Sequence, residues 1–429
     1  MKDNHPNGEF FSPALQQEIK DKFHYVDIDF RGKPRLFFEN AGGSFTLKQA
    51  LAEYCRVEAI GDCPERTNKT ADYLNEIIDQ GVSDAKLILN AGQGSVVTML
   101  TASQIIFELT RVAAESLPGG NIVTTALEHP SAFDAAKTYA IKTGREFRVA
   151  RTNPVTGGVD AEEIAALVDQ DTCFLSVIYA SNISGAILDL EKIIRLARAK
   201  KPDLCIICDA VQHAPHALID LQKTPVDAIS FAPYKFFGVR GLGLAYVSPR
   251  FAPFAHHLLI GKPAGEWELG SPAPAQYAGV SAIVDYVCWI GARFSASQER
   301  RELFAEGMNR LHLQERALLH RLLEGGDGAP GLRHIPGVTV HLDYPDLGTR
   351  DLIVAMEMDK IGFNELVKEY ERLGVAVYER VAESIYSKRM IESFGLRGAI
   401  RISPLHCHDA ADIDRFLKIT AELAAKLNA

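Results

Sequence analysis

Through the middle of the chain, short apolar runs alternate with amphipathic stretches, and this alternation restricts the fold more than any single residue does. NIVTTALEH, CFLSVIYASN, LCIICDAVQ and AISFA have the length and β-branched content of strands, with SAFDAAKTYAIKTG and LEKIIRLARAKK as helices between some of them. Strand followed by helix, repeated, implies parallel pairing and right-handed crossovers in a sheet covered on both faces. GLGLAYVSP follows as another strand. Polar residues cluster just after the strands, where open sheets of this kind place their ligands. The expected fold class is α/β, with a large, mostly parallel sheet domain and a smaller α+β C-terminal domain.

At 429 residues the chain exceeds what one hydrophobic core usually supports, and hydrophobic residues at 47% are ample for two. The chain is expected to divide into an N-terminal segment (1–40) packing with the small domain, a large domain (41–275), an interdomain helix (276–325) and the small domain (326–429). In the last, VTVHL, DLIVAMEM and GAIRISP read as strands, and FNELVKEYERLG and DAADIDRFLKITAELAAKL as helices. The 46 basic and 55 acidic residues give a formal charge of -9, with no basic block to follow a nucleic-acid backbone. Nucleic acid and anionic membrane are therefore not expected partners.

The opening residues, MKDNHPNGEFFSPALQQEIKDKF, have neither an apolar signal core nor an Arg-rich targeting pattern, and no stretch approaches the length of a membrane span. Seven scattered cysteines do not form a disulfide framework, so a cytoplasmic location is expected. Cys205 and Cys208 form a CxxC, but inside LCIICDA they read as a buried strand and not as a redox turn.

Lys235 lies in FAPYKFFGVRGLGLAYV, downstream of a strand that ends in Asp209 and is followed by Gln212. Pyridoxal phosphate chemistry needs an amine to hold the aldehyde as a Schiff base and an acid to keep the pyridine nitrogen protonated. Lys235 and Asp209 fit those roles. Taken singly, a surface lysine beside a turn and a helix N-cap are the plain alternatives.

The frame DAVQHAPHALIDLQKTPVDAISFAPYK, from acid to lysine, resembles the class V aminotransferase superfamily, and in particular its cysteine desulfurase and selenocysteine lyase branch. The resemblance covers nearly the whole chain. It implies the pyridoxal phosphate transferase fold (fold type I), an amino-acid substrate, and a homodimer with active sites at the subunit interface. It also implies roles for individual residues. Gln212 and Asn182 would hydrogen-bond the phenolic oxygen of the ring, and His129 in TTALEHPSAF would stack on the ring face and take part in catalysis with Lys235. Gln93, Gly94 and Ser95 in LNAGQGSVVTMLTASQIIF would form the phosphate loop at a helix start, where free N–H groups favour an anion. Ser271 in ELGSPAPAQ would reach the phosphate of the other subunit. Arg401 in GAIRISPLHCHDAADIDRF would clamp the substrate carboxylate, and Asn40, Ala41 and Gly42 in FFENAGGSF would shape the substrate pocket. Plain alternatives stand beside several of these: an Asx turn for Asn182, a loop histidine for His129, an ordinary capped helix for the phosphate loop, and a surface ion pair for Arg401. His213 and His216 have no completing ligand set for a metal.

The chain departs from the branch at two places. Ala232 and Tyr234 replace a serine and a histidine ahead of the lysine; Tyr234 can still donate to the phosphate or stack, and a tyrosine here is similar to kynureninase. The stretch AVYERVAESIYSKRMIESFGLRGAIR also carries no cysteine before Arg401, where persulfide-forming desulfurases place their acceptor thiol, and neither Cys407 nor Cys63 replaces it by position. The expected activity is removal of an α proton from an amino acid held as an external aldimine, giving an α-carbanion. Carbon–sulfur or related β-elimination without a protein persulfide would follow. The alternatives are keto-acid-dependent transamination, kynureninase-like carbon–carbon cleavage, epimerisation, and a cofactor-binding regulatory relative without catalysis.

Overall fold

The computed structural model describes residues 5–326 and 328–429; residues 1–4 of the N-terminal segment lie outside that range. Seven strands build the larger sheet: β1 (Ser95–Met99), β2 (Asn121–Thr125), β3 (Glu146–Ala150), β4 (Thr172–Ile178), β5 (Cys205–Asp209), β6 (Ala228–Phe231) and β7 (Gly243–Val247). Their order is β1-β7-β6-β5-β4-β2-β3. Pairing is parallel from β6 through to β3, while β7 runs antiparallel to both neighbours. That reversal follows from the connection. The turn between β6 and β7 is too short for the crossover that parallel pairing demands. Strands β2, β4, β5, β6 and β7 are buried along their whole length, which is why they read as continuous apolar runs.

Helices cover both faces: α2 (Lys48–Glu58), α3 (Lys69–Leu89), α4 (Ala102–Ser116), α5 (Pro130–Lys142), α6 (Ala161–Leu167) and α7 (Leu190–Lys200), after α1 (Pro13–Asp21) near the N-terminus. One expectation fails here. The helix expected to start at Gln93–Ser95 is instead strand β1, paired with β7 from Ser95↔Val247 to Met99↔Gly243, and α4 begins only after Thr101. Val96, Val97 and Thr98 are β-branched and suit a pleated edge better than a first helical turn. Thr101 has the extended backbone and side-chain bond of an N-cap, accepting from the Gln104 N–H at 3.1 Å.

The smaller sheet has four antiparallel strands in the order β8 (Val338–His341), β9 (Val354–Met358), β11 (Gly398–Ile402), β10 (Tyr378–Val381). α10 (Phe363–Arg372), α11 (Lys388–Ser393) and α12 (Ala410–Asn428) accompany it. The stretch expected as one interdomain helix is two, α8 (Pro274–Gly291) and α9 (Arg300–Glu324). α9 belongs to both cores, with Phe304, Met308 and Leu311 in the larger and Leu318, Leu319, Leu322 and Leu323 in the smaller. The N-terminal segment is shared likewise. Ile19 and Phe23 pack into the larger core, Leu36–Phe37 pairs in parallel with Val375–Ala376, and Lys20 bridges to Asp409 and Asp412 at the start of α12.

α8 and α9 cross with backbone against backbone. A Cβ on Gly307 would lie 2.1 Å from the Val287 carbonyl, and one on Gly291 1.9 Å from that of Leu303. Gly307→Ala is expected to lower unfolding free energy by about 1–3 kcal/mol in urea titrations, while Gly61→Ala, at a site with nothing within 4 Å, changes it little. Equal stability of the two variants would contradict the close crossing.

Candidate active site

The carboxyl ends of β1, β2, β4, β5 and β6 meet along one edge of the large sheet, where a cavity of about 560 Å³ opens. Lys235 lies in its wall, as the last residue of the short turn Pro233–Lys235 after β6. The turn is fastened by Lys235 N–H to Ala232 O (2.9 Å) and by the Phe236 and Gly238 N–H groups to Pro233 O (both 2.8 Å). Phe236 and Phe237 next to it are fully buried, with Phe237 edge-on to Phe23 and Tyr286. The lysine is therefore a polar side chain on an apolar anchor. Burial, with the Arg401 charge added, pulls its amine down to about 8.

Asp209 ends β5 and accepts from the Val211 N–H at 3.0 Å; burial pushes its carboxyl up, opposed by that bond and by Lys235. Gln212 is buried one turn on, with its amide nitrogen 3.4 Å from His216 Nε2. Asn182, beyond β4, is also buried. Gln212 Oε1 and Asn182 Oδ1 both face the cavity region without a hydrogen-bond partner, which marks a site shaped for a polar ligand. His129 caps α5, and its Nδ1 receives the Ser131 N–H (3.3 Å) and contacts Ser131 Oγ (2.7 Å). A backbone N–H can only donate, so Nδ1 is an acceptor and the ring proton is on Nε2. Burial, with Lys235 and three arginines nearby, pulls the ring down to about 3 and keeps it neutral.

The helix start that meets the cavity is not the one expected at Gln93–Ser95. Leu100, Thr101, Ala102 and Ser103 line the cavity, at the N-terminus of the fifteen-residue α4, whose first N–H groups have no intrahelical partner. Gly243 makes this possible, because a Cβ there would stand 2.3 Å from Ala102 N. Gln93, Gly94 and Ser95 lie at the opposite end of β1. Gln93 O is bonded by the Tyr246 hydroxyl, Gly94 packs on the Tyr246 ring, and Ser95 Oγ donates to Gly265 O at 2.6 Å. None lines the cavity. Ser271 is exposed beside Glu65, and within one chain it does not reach the cavity either. Tyr234 does line it, with the Arg240 guanidinium 4.4 Å over its ring.

Arg401 arrives from the other domain, on β11. Its Nη1 donates to Asn182 O (2.9 Å), and Nε and Nη2 fork onto the two oxygens of Glu39. Arg401 is buried and Glu39 half-buried, so this is not a surface ion pair. Asn40 does not present its side chain to a ligand, being used in the turn itself: Nδ2 donates to Phe37 O and Ser403 O, and Oδ1 accepts from Phe45 N–H. Ala41 N–H donates to Ser403 Oγ at 3.1 Å. Gly42 leaves room for the ion pair, since a Cβ would come within 2.3 Å of Glu39 Oε1.

Behind the cavity His216 bonds Glu315 at 2.7 Å and His213 bonds Asp351 at 3.0 Å, all four buried. His216 is raised by the Glu315 charge against the opposing effect of burial. Among the described residues no group of three or more His, Cys, Asp or Glu is arranged to hold a metal ion. Glu128, fully buried next to His129 in sequence, is pushed up to about 8 by burial and by Asp209, against the hydrogen bonds it accepts from Thr125 Oγ1 and the Ile178 N–H. Sequence reasoning missed Glu39, Ser131, Arg240 and the Thr101–Ser103 start. Only the last had a local signal, a Thr-x-Ser before an amphipathic run.

Pyridoxal phosphate fits this donor set. The cavity has a buried amine of depressed basicity, a carboxyl group at a strand end, two buried amide oxygens without partners, a neutral flat ring and a helix start suited to a phosphate. Over residues 46–416 the chain matches the family model described as aminotransferase class-V. It is 21% identical to a probable cysteine desulfurase of Synechocystis sp. over 95% of both chains, and 28% identical to one of Borreliella burgdorferi over 68% of this chain and 74% of the relative. Among solved structures, a cysteine desulfurase of Thermococcus onnurineus superposes with a TM-score of 0.81 at 17% identity, over 98% of this chain and 100% of the other. The cysteine desulfurase CsdA of Escherichia coli does so with a TM-score of 0.78 at 17% identity and the same coverage, a likeness that shows the fold. The chain belongs to the aminotransferase class-V family and is an enzyme dependent on pyridoxal phosphate.

Proposed function

We propose that this enzyme takes the α proton from an amino acid and expels a leaving group from the β carbon, giving pyruvate and ammonia from a three-carbon substrate, without passing sulfur to a protein thiol. The observation that carries this reading is the distribution of sulfur. No cysteine lines the cavity, none occurs between Val375 and Arg401, and Cys173, Cys205, Cys208, Cys288 and Cys407 are buried.

Bound pyridoxal phosphate supplies the sink for the electron pair left when the α C–H bond breaks. Asp209 would hold a proton at the ring nitrogen, a cation that offsets the cost of burying its carboxylate. Asn182 and Gln212 would orient the opposite edge of the ring. The neutral His129 would stack on its face with Nε2–H directed into the cavity, and the first turn of α4 would hold the phosphate. Lys235 would accept the α proton, a task suited to an amine that burial has brought close to neutral pH. Arg401 would bind the substrate carboxylate in the place that the Glu39 carboxylate occupies in the structure, so Glu39 must give way as substrate enters. The enzyme would act as a homodimer in which Ser271 reaches the partner's phosphate site.

Two outcomes are expected. Cofactor capture by the cofactor-free protein requires neutral Lys235, so its rate should rise with pH and level off above about 8; a flat profile from pH 6 to 9 would contradict the depressed amine. Incubated with an amino-acid panel without any keto acid, the holoenzyme should release pyruvate and the leaving group in equal amounts. Replacing the two exposed cysteines, Cys55 and Cys63, by serine should leave this turnover unchanged. Dependence on added keto acid, or loss of turnover in the double variant, would overturn the reading.

A further inference from the structure

Arg380, on β10, is only 6% exposed and lies on the face of the small sheet that carries Arg401. The register fixes this: Tyr378 is the partner of Arg401 and Arg380 that of Ala399, so Arg380 and Arg401 are diagonal neighbours on one face. Both guanidinium carbons lie 5.8 Å from the centre of the Tyr378 ring, which places the two cations within twice that distance of each other.

Their partners differ sharply. Arg401 has the Glu39 carboxylate and the Asn182 carbonyl, whereas Arg380 makes one hydrogen bond, from Nη2 to the Tyr386 carbonyl at 2.7 Å. Its Nε is buried with no partner, and among the described residues no carboxylate lies within ion-pairing distance of it. A buried guanidinium without a counter-charge is costly, and the cost is recovered only if an anion arrives. The carboxylates whose charge reaches Arg380 are Glu39 and Glu379, and neither pairs with it. The charged groups around His129 and Lys235 are the cations Arg380, Arg389 and Arg401 and the carboxylates Asp209 and Glu39, and Glu39 is already held by Arg401. Burial and the neighbouring Arg401 pull Arg380 down to about 10, which leaves it charged at neutral pH.

We propose that Arg380 is a specificity-determining residue that binds an oxyanion on the substrate's side chain, so that the substrate is an amino acid with a second acidic group, a carboxylate or a sulfinate, held between Arg401 and Arg380. This rests on the reading of Arg401 as the receptor for the α-carboxylate. The side-chain oxyanion of such a substrate supplies the charge that Arg380 lacks, and with the α-carboxylate on Arg401 the two ends are fixed relative to the Lys235 amine. Neutral and cationic side chains would leave Arg380 unpaired and be discriminated against.

The test uses the holoenzyme titrated with amine-free analogues, succinate and maleate against butyrate, by calorimetry and by the shift of the bound cofactor's absorption. The dicarboxylates are expected to bind roughly tenfold to a hundredfold more tightly than butyrate, the range of a charge-assisted hydrogen-bonded pair. Arg380→Gln should abolish that preference and leave butyrate binding unchanged, and Arg380→Lys should restore part of it. Three results would overturn the proposal: no preference in the wild type, equal loss of both ligand types in Arg380→Gln, or an unchanged preference in a variant that only melts earlier. If Arg380→Gln fails to fold, the wild-type preference and Arg380→Lys still decide. Calorimetry separates the two readings, since loss of butyrate binding in Arg401→Gln tests the carboxylate receptor without reference to Arg380.

Discussion

The site depends on the parallel pairing of β5 with β6, which sets Asp209 opposite Ser230 and delivers the residues beyond both strand ends to one edge of the sheet. Parallel strands require crossovers, crossovers require helices on both faces, and helices on both faces bury the strands completely. An acid at the end of one such strand and a lysine just past the end of its neighbour are thereby held at one cavity by backbone geometry. The antiparallel β7 completes the arrangement. It returns without a crossover and places Gly243 under the first turn of α4, which is what brings the helix start to the cavity.

Desolvation then decides which form each group takes. The same burial that draws Lys235 toward neutrality keeps His129 uncharged and raises the Glu128 carboxyl. Around the cavity polar groups are paired: Arg401 with Glu39, His216 with Glu315, His213 with Asp351. The Glu315 pair has a wider function in the architecture, because Glu315 also accepts from His406 N–H and Tyr286 bonds His406 at 2.8 Å. Gln212 is thus backed by a polar chain through α9 to α8 and to the loop before α12. Arg380 is buried with no carboxylate partner, bonded only to the Tyr386 carbonyl.

The fold class was legible because fully buried parallel strands leave continuous apolar runs. Lys235, Asp209, Gln212, Asn182 and His129 were legible for a related reason, since each lies within a few residues of a strand end where ligands gather. The helix start was misplaced because the glycines before Ser95 imitate a helix entry, and SVVTM becomes recognisable as an edge strand only through its pairing with β7. The bond between Arg401 and Glu39 joins residues 362 positions apart and has no local signature, so Glu39 was invisible. The same holds for Arg380, whose neighbourhood with Arg401 is a property of strand register. Asn40 drew attention correctly but for a different task, since its side chain closes a turn onto Ser403.

The central claim is that Lys235 is the residue to which the cofactor is joined. Reduction of the purified holoenzyme with borohydride, followed by proteolysis and mass spectrometry, addresses it directly. The account predicts a single phosphopyridoxyl group on the peptide containing Pro233, Tyr234 and Lys235, and its absence from the Lys235→Ala protein. A phosphopyridoxyl group fixed on another lysine, or no modification in a protein that has retained the cofactor, would contradict it.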